Sequence, residues 1–125
     1  MKLSILAWRD GKQTSLSDVL DALGRDDILS RNWIAQRVEA AGTPGPAREI
    51  EKASDTAMPI SGKRLLELAS ARVQVIEGSL LGTSSKGRPP IAVHAVDSTH
   101  WDVEGDELAL RRFAQCFPEA EVLEH

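Results

Sequence analysis

His94, Asp97, His100, Asp102, Glu104 and Asp106 crowd into one short stretch, and no other part of the sequence gathers so many groups able to bind a metal or move a proton. On a strand, residues two apart share a face, so His100, Asp102 and Glu104 are expected to project together while Trp101 and Val103 turn to the core. One strand earlier, Ile91, Val93 and Ala95 form the complementary apolar face and leave Ala92, His94 and Val96 opposite. Matching the two apolar faces sets His94 beside Asp102 across a hairpin. Two imidazoles and two carboxylates there make a donor set that zinc or iron accepts, and the same groups serve acid–base chemistry. His94, His100, Asp102 and Glu104 are therefore the candidate polar site. Against this stands a plainer account, because alternating polar residues are also what the solvated face of an antiparallel sheet looks like. No H-x-x-x-H, H-E-x-x-H or paired-cysteine spacing accompanies the cluster. The sequence accordingly assigns no catalytic residue, no metal ligand and no cofactor.

Other motifs carry less. Ser61-Gly62-Lys63-Arg64 opens a helix, but a phosphate loop needs glycine where Ala57 stands and Ser or Thr where Arg64 stands. It reads as an ordinary helix start. Ser79, Ser84 and Ser85 lie in strand or loop without a base placed by sequence, and no G-x-S-x-G elbow or G-x-G-x-x-G fingerprint occurs. Cys116, the single cysteine, falls between Phe113 and Phe117 and is expected to be a buried structural thiol. A lone thiol cannot staple the fold, which suits a reducing compartment.

The elements that must position these residues follow from hydrophobic period and punctuation. Lys2 to Trp8 alternates as a strand and turns at Arg9–Lys12. Ser15 with Asp18 makes a capping-box start for a helix carrying Leu16, Val19, Leu20 and Leu23, which Gly24 stops. Residues 31–41 fit helix or strand, and their Ala, Gln, Arg and Glu content favours helix. Pro46 can open a weak helix over 47–54, and Ser61 caps one carrying Leu65, Leu66 and Leu68. Strands are expected at 72–81, 91–96 and 100–104, with residues 82–90 as a mobile polar loop open to trypsin at Lys86. A helix over 105–117 should present Leu110, Phe113, Ala114 and Phe117 to the Trp101/Val103 face.

The expected fold class is α+β, an antiparallel β-meander with helices on one face. Residues 1–122 form a single domain of ordinary size, and Leu123-Glu124-His125 resembles an expression-tag remnant. The core is expected to include Leu65, Leu68, Ile76, Leu80, Val93, Trp101, Val103, Leu110 and Phe113, with Trp8 and Trp33 in the core or at its edge.

The 125 residues carry a formal charge of −4. Residues 1–71 hold ten basic and ten acidic side chains, so the whole acidic excess lies in the C-terminal part. Nucleic-acid affinity comes from Lys and Arg displacing counterions, and the chain has no tyrosine to widen its few aromatic platforms. No nucleic-acid partner and no membrane partner are expected. The expectation is a cytoplasmic protein-binding or regulatory module, such as a bacterial immunity or accessory protein, joined to a protein partner or to a second copy as a homodimer. The alternative is a metal-assisted or acid–base enzyme using the His94/His100/Asp102/Glu104 face.

Overall fold

The computed structural model describes residues 1–124 and has an α+β architecture, five helices set against an antiparallel sheet of seven strands. β1 (Lys2–Leu6) leads into a small hairpin, β2 (Trp8–Arg9) and β3 (Lys12–Gln13), then α1 (Leu16–Leu23) and α2 (Arg25–Leu29). β4 (Arg31–Gly42), α3 (Pro44–Thr56), β5 (Ile60–Ser61) and α4 (Gly62–Ser70) follow. The chain closes with β6 (Val73–Ser84), β7 (Ile91–Val96), β8 (His100–Glu104), α5 (Glu107–Cys116) and β9 (Glu121–Glu124). The sheet order is β5-β4-β6-β7-β8-β1-β9, antiparallel at every step, so the expected meander β6-β7-β8 is its centre. Leu123 and Glu124, set aside above as tag remnant, belong to β9, and His125 lies outside the described residues. No helix among the described residues is long and apolar enough to cross a membrane.

Local chemistry explains the boundaries. Asp10 and Gly11 both take positive φ, the two-residue turn that matches the twist of a tight hairpin. At α1 the Asp18 N–H donates to Ser15 Oγ (3.1 Å) and the Ser15 N–H donates to Asp18 Oδ2 (3.0 Å), a complete capping box. Ser61 Oγ accepts from the Arg64 N–H (3.1 Å). The Arg64 guanidinium reaches Glu49 on α3 (2.5 and 2.7 Å), so the supposed phosphate-loop segment is a capped helix start tied to its neighbour. Asp106 caps α5 through the Ala109 N–H (2.7 Å).

Residues 31–41 are strand, which corrects the helical expectation. Helix propensity differs by only tenths of a kcal/mol between such residues, and burial of Trp33, Ala35 and Val38 against the helices outweighs it. The two inward sets change parity between Ala35 and Val38, where register shifts break the β4–β6 ladder. Neither a helical period nor strict alternation fits such a strand, hence the ambiguity in sequence. The same irregularity puts Val73 and Val75 inward and then Gly78, Leu80 and Gly82. Ile76, expected in the core, is thereby half-buried, while Val75 takes its place; the other eight expected core residues are buried. Gly82 is required beneath Trp33, whose ring would stand 2.6 Å from an added Cβ. The Trp33 indole N–H donates to the Ile28 carbonyl (3.2 Å).

Three further expectations change. Only Leu110 and Phe113 of α5, with Phe117 beyond its end, are buried; Ala114 and Cys116 face solvent because the helix rests on a narrow stripe. Trp8 is 54 % exposed rather than in the core. The loop after β6 is anchored on α2: Arg88 pairs with Asp27 (3.0 Å) and reaches Ser30 Oγ, and the Pro89 carbonyl accepts from Arg31 (3.0 Å). Lys86 stays exposed at its tip.

One edge of the sheet is closed. β5 pairs with Asn32 and Trp33 of β4, and α3 covers the rest: Ser54 Oγ accepts from the Val38 N–H (3.0 Å) and Glu51 Oε2 from the Ala40 N–H (3.2 Å). Side chains thus satisfy backbone donors that would otherwise invite another strand.

Candidate functional site

The fully buried apolar residues of the central strands (Leu80, Ile91, Val93, Trp101, Val103) all point one way, toward the helices. The opposite face is open, and its residues fall into cross-strand rows. The middle row is polar: Gln36, Ser79, His94, Asp102, Ser4 and Glu121 follow one another from β4 to β9 in direct register. On one side of it run Ile34, Leu81, Ala92, Glu104 and Lys2; on the other, Val96, His100 and Leu6. The face is thus a polar seam between two rows rich in apolar groups.

His94 is the centre of the seam, with its side chain 30 % exposed. The expected register, His94 opposite Asp102, is observed. The hydrogen bonds are different: Nε2 lies 2.8 Å from Glu104 Oε2 and Nδ1 lies 2.7 Å from Ser79 Oγ. Glu104 is a diagonal neighbour, and its longer side chain bridges the offset that Asp102 would meet only by direct approach. An ionised carboxylate accepts only, so Nε2 carries the proton, and in the neutral ring Nδ1 then accepts from the Ser79 hydroxyl. The His94 hydrogen bond holds the Glu104 carboxyl below its ordinary value of 4.5, against partial burial that raises it; the charge of Lys2 and the N-terminus act in the lowering direction.

His100 sits apart. Its Nδ1 lies 2.7 Å from the neighbouring Thr99 Oγ1, and its cross-strand partners are Val96 and Leu6. Of the four candidate residues, then, the fold joins His94 to Glu104, places Asp102 beside them and leaves His100 at the end of the sheet. No group of three or more His, Cys, Asp or Glu side chains among the described residues is arranged to hold a metal.

Sequence reasoning missed Ser79, which has a base after all. The missing signal was register: Leu80 and Val93 both face the core, and once they are opposed Ser79 must meet His94. Beside Ser79 a cleft of about 650 Å³ opens, lined by Gln36, Arg37, Ser54, Ala57 and Glu77. Sequence reasoning also missed Arg31, 3 % exposed, whose guanidinium donates to Asp27 (3.0 Å), to the Gly82 carbonyl (3.1 Å) and to Pro89. That cluster floors a cleft of about 720 Å³ between α2, the β6–β7 loop and α5. Another cleft, of about 620 Å³, has Cys116 at its wall beside Lys12, Asp21 and Arg112.

Comparisons of the chain with protein-family models, with curated proteins and with solved structures find no match.

Proposed function

We propose that this protein is a protein-binding or regulatory module, cytoplasmic and of the accessory or immunity type, and that the open sheet face is its contact surface. One observation carries this reading: a sheet face spanning six strands is left without a helix, and its polar seam is bordered by Ile34, Leu81 and Ala92 on one side and Val96 and Leu6 on the other. Leu6, in that border, and Trp8, in the β2–β3 hairpin that follows the buried Ala7, are each 54 % exposed. Apolar groups gathered on one uncovered face carry more interaction potential than apolar groups scattered singly, and an exposed tryptophan is a favoured anchor. Asp102, Glu104 and Glu121 give the face acidic points, which suit a partner segment bearing Lys or Arg.

Selection of displayed peptides on the folded chain tests the reading. Bound sequences should be rich in Lys or Arg with apolar residues between them, and Leu81→Lys should abolish their binding while the melting temperature holds. Binders that ignore Leu81→Lys and Val96→Lys alike would place the contact elsewhere. A second reading, acid–base chemistry on the same face, is supported by the hydrogen-bonded chain through His94.

A further inference from the structure

We propose that Ser79 is a nucleophile, with His94 as its base and Glu104 as the positioning residue, and that this face accepts the acyl group of a small ester. The proposal rests on the acid–base reading of the face and requires no protein partner.

Nucleophilic catalysis by serine needs a base within about 2.6–3.2 Å and a third group that orients the base. Both distances are met, 2.7 Å from Ser79 Oγ to His94 Nδ1 and 2.8 Å from His94 Nε2 to Glu104. The imidazole is used in the opposite sense to the serine-protease arrangement, Nδ1 toward serine and Nε2 toward the carboxylate. Either sense works, because a neutral ring has one donor and one acceptor, and the carboxylate decides which is which. Glu104 stays ionised for that task, since the hydrogen bond from His94 holds its carboxyl low.

The remaining need is a donor for the oxyanion. Gln36 stands directly across from Ser79 on β4, exposed, and its carboxamide makes no hydrogen bond among the described residues. Arg37 follows it at positive φ (53°) where the strand bulges, and both line the cleft beside Ser79. Donors held at the site of developing charge are the larger part of such catalysis. The cleft, about 650 Å³, lies in the range of small-molecule pockets.

The chemistry balances with the groups present. The Ser79 proton passes to His94 Nδ1 as Oγ bonds to the acyl carbon. The bond from that carbon to the alkoxy oxygen breaks, and the imidazolium returns its proton to the departing alcohol. Water then adds in the same way: its proton goes to His94 Nδ1 and its oxygen to the acyl carbon, the bond from that carbon to Ser79 Oγ breaks, and the imidazolium returns its proton to Oγ as the carboxylic acid leaves.

A fluorophosphonate probe, which loses fluoride to an activated serine, tests the assignment on the isolated chain by intact mass and peptide mapping. The expected result is one adduct, on Ser79, absent from Ser79→Ala and formed at least about 100-fold more slowly in His94→Ala. In ¹⁵N-histidine spectra the wild type should show His94 protonated at Nε2. Glu104→Gln should shift that tautomer balance and slow labelling in a chain that still folds, a combination that a purely structural role would not give. If His94→Ala fails to fold, the wild type and Ser79→Ala still decide. No adduct, or one that survives Ser79→Ala, overturns the nucleophile. When this happens with the Nε2–H tautomer present, the acid–base geometry stands without it; when the tautomer is absent, both fall.

Discussion

At Arg31 a full charge sits almost out of solvent, held by Asp27 and two carbonyls, and Asp27 is shared with the exposed Arg88. Removing one partner of a buried pair leaves the other charge uncompensated, which costs ~3–5 kcal/mol. Asp27→Ala should lose that much in urea denaturation, and trypsin should cut faster at Lys86 because the loop has lost its anchor. Unchanged cleavage would mean that Arg88 does not secure the loop. Glu104 acts more weakly, being 42 % exposed in a pair of the kind worth about 0–1 kcal/mol. Its folded carboxyl lies below 4.5, so between the two values the unfolded chain binds more protons. The stabilisation is therefore complete above the unfolded value and lost as pH falls through the folded one. Urea midpoints should differ between wild type and Glu104→Gln at pH 7 and converge in strong acid. At this scale the candidate site was half legible. Alternation around Trp101 and Val103 placed His94, Asp102 and Glu104 on one face, but which acid the imidazole chooses depends on side-chain reach across a diagonal. Ser79 depended on a register that sequence does not print, and Arg31 reads as one more surface cation until the loop folds over it.

Among the elements, those bounded by caps were readable. Ser15 with Asp18 and Ser61 mark helix starts by chemistry local to a few residues, and both starts are observed. β4 was not readable, because its two halves bury opposite parities and its composition prefers a helix that tertiary pairing forbids. The close approach of Trp33 to Gly82 gives that pairing a direct test. Gly82→Ala forces a methyl into the indole and should cost ~1–3 kcal/mol, the range for overpacking a core. A melting temperature equal to wild type would show that Trp33 does not lie there. α5 holds to the sheet through Leu110 and Phe113, with Phe113 and Phe117 ring centroids 5.0 Å apart. Phe113→Ala should cost ~3–5 kcal/mol, whereas Ala114→Ser, on the solvent side, should change the melt little. Equal losses at both positions would mean that the helix is rotated from the face described.

Across the whole molecule the asymmetry of the sheet matters most. The buried residues of the central strands face the helices, α3 seals the β4 edge with its own side chains, and the other face carries the rows of Ile34, Leu81, Val96 and Leu6. The α+β class was legible because strand and helix periods alternate cleanly after residue 72; an uncovered face was not, since the same half-apolar pattern serves a solvated sheet. If that face is the contact surface, a bound partner must leave its mark there. The most direct measurement is amide and methyl chemical-shift mapping during titration with a selected Lys- or Arg-rich peptide. Perturbations should gather at Ile34, Leu81, His94, Val96 and Leu6 and fade with rising salt, as charge-assisted contacts do. A saturable set of shifts confined to α1, α4 and α5, with the open face unmoved, would contradict the account.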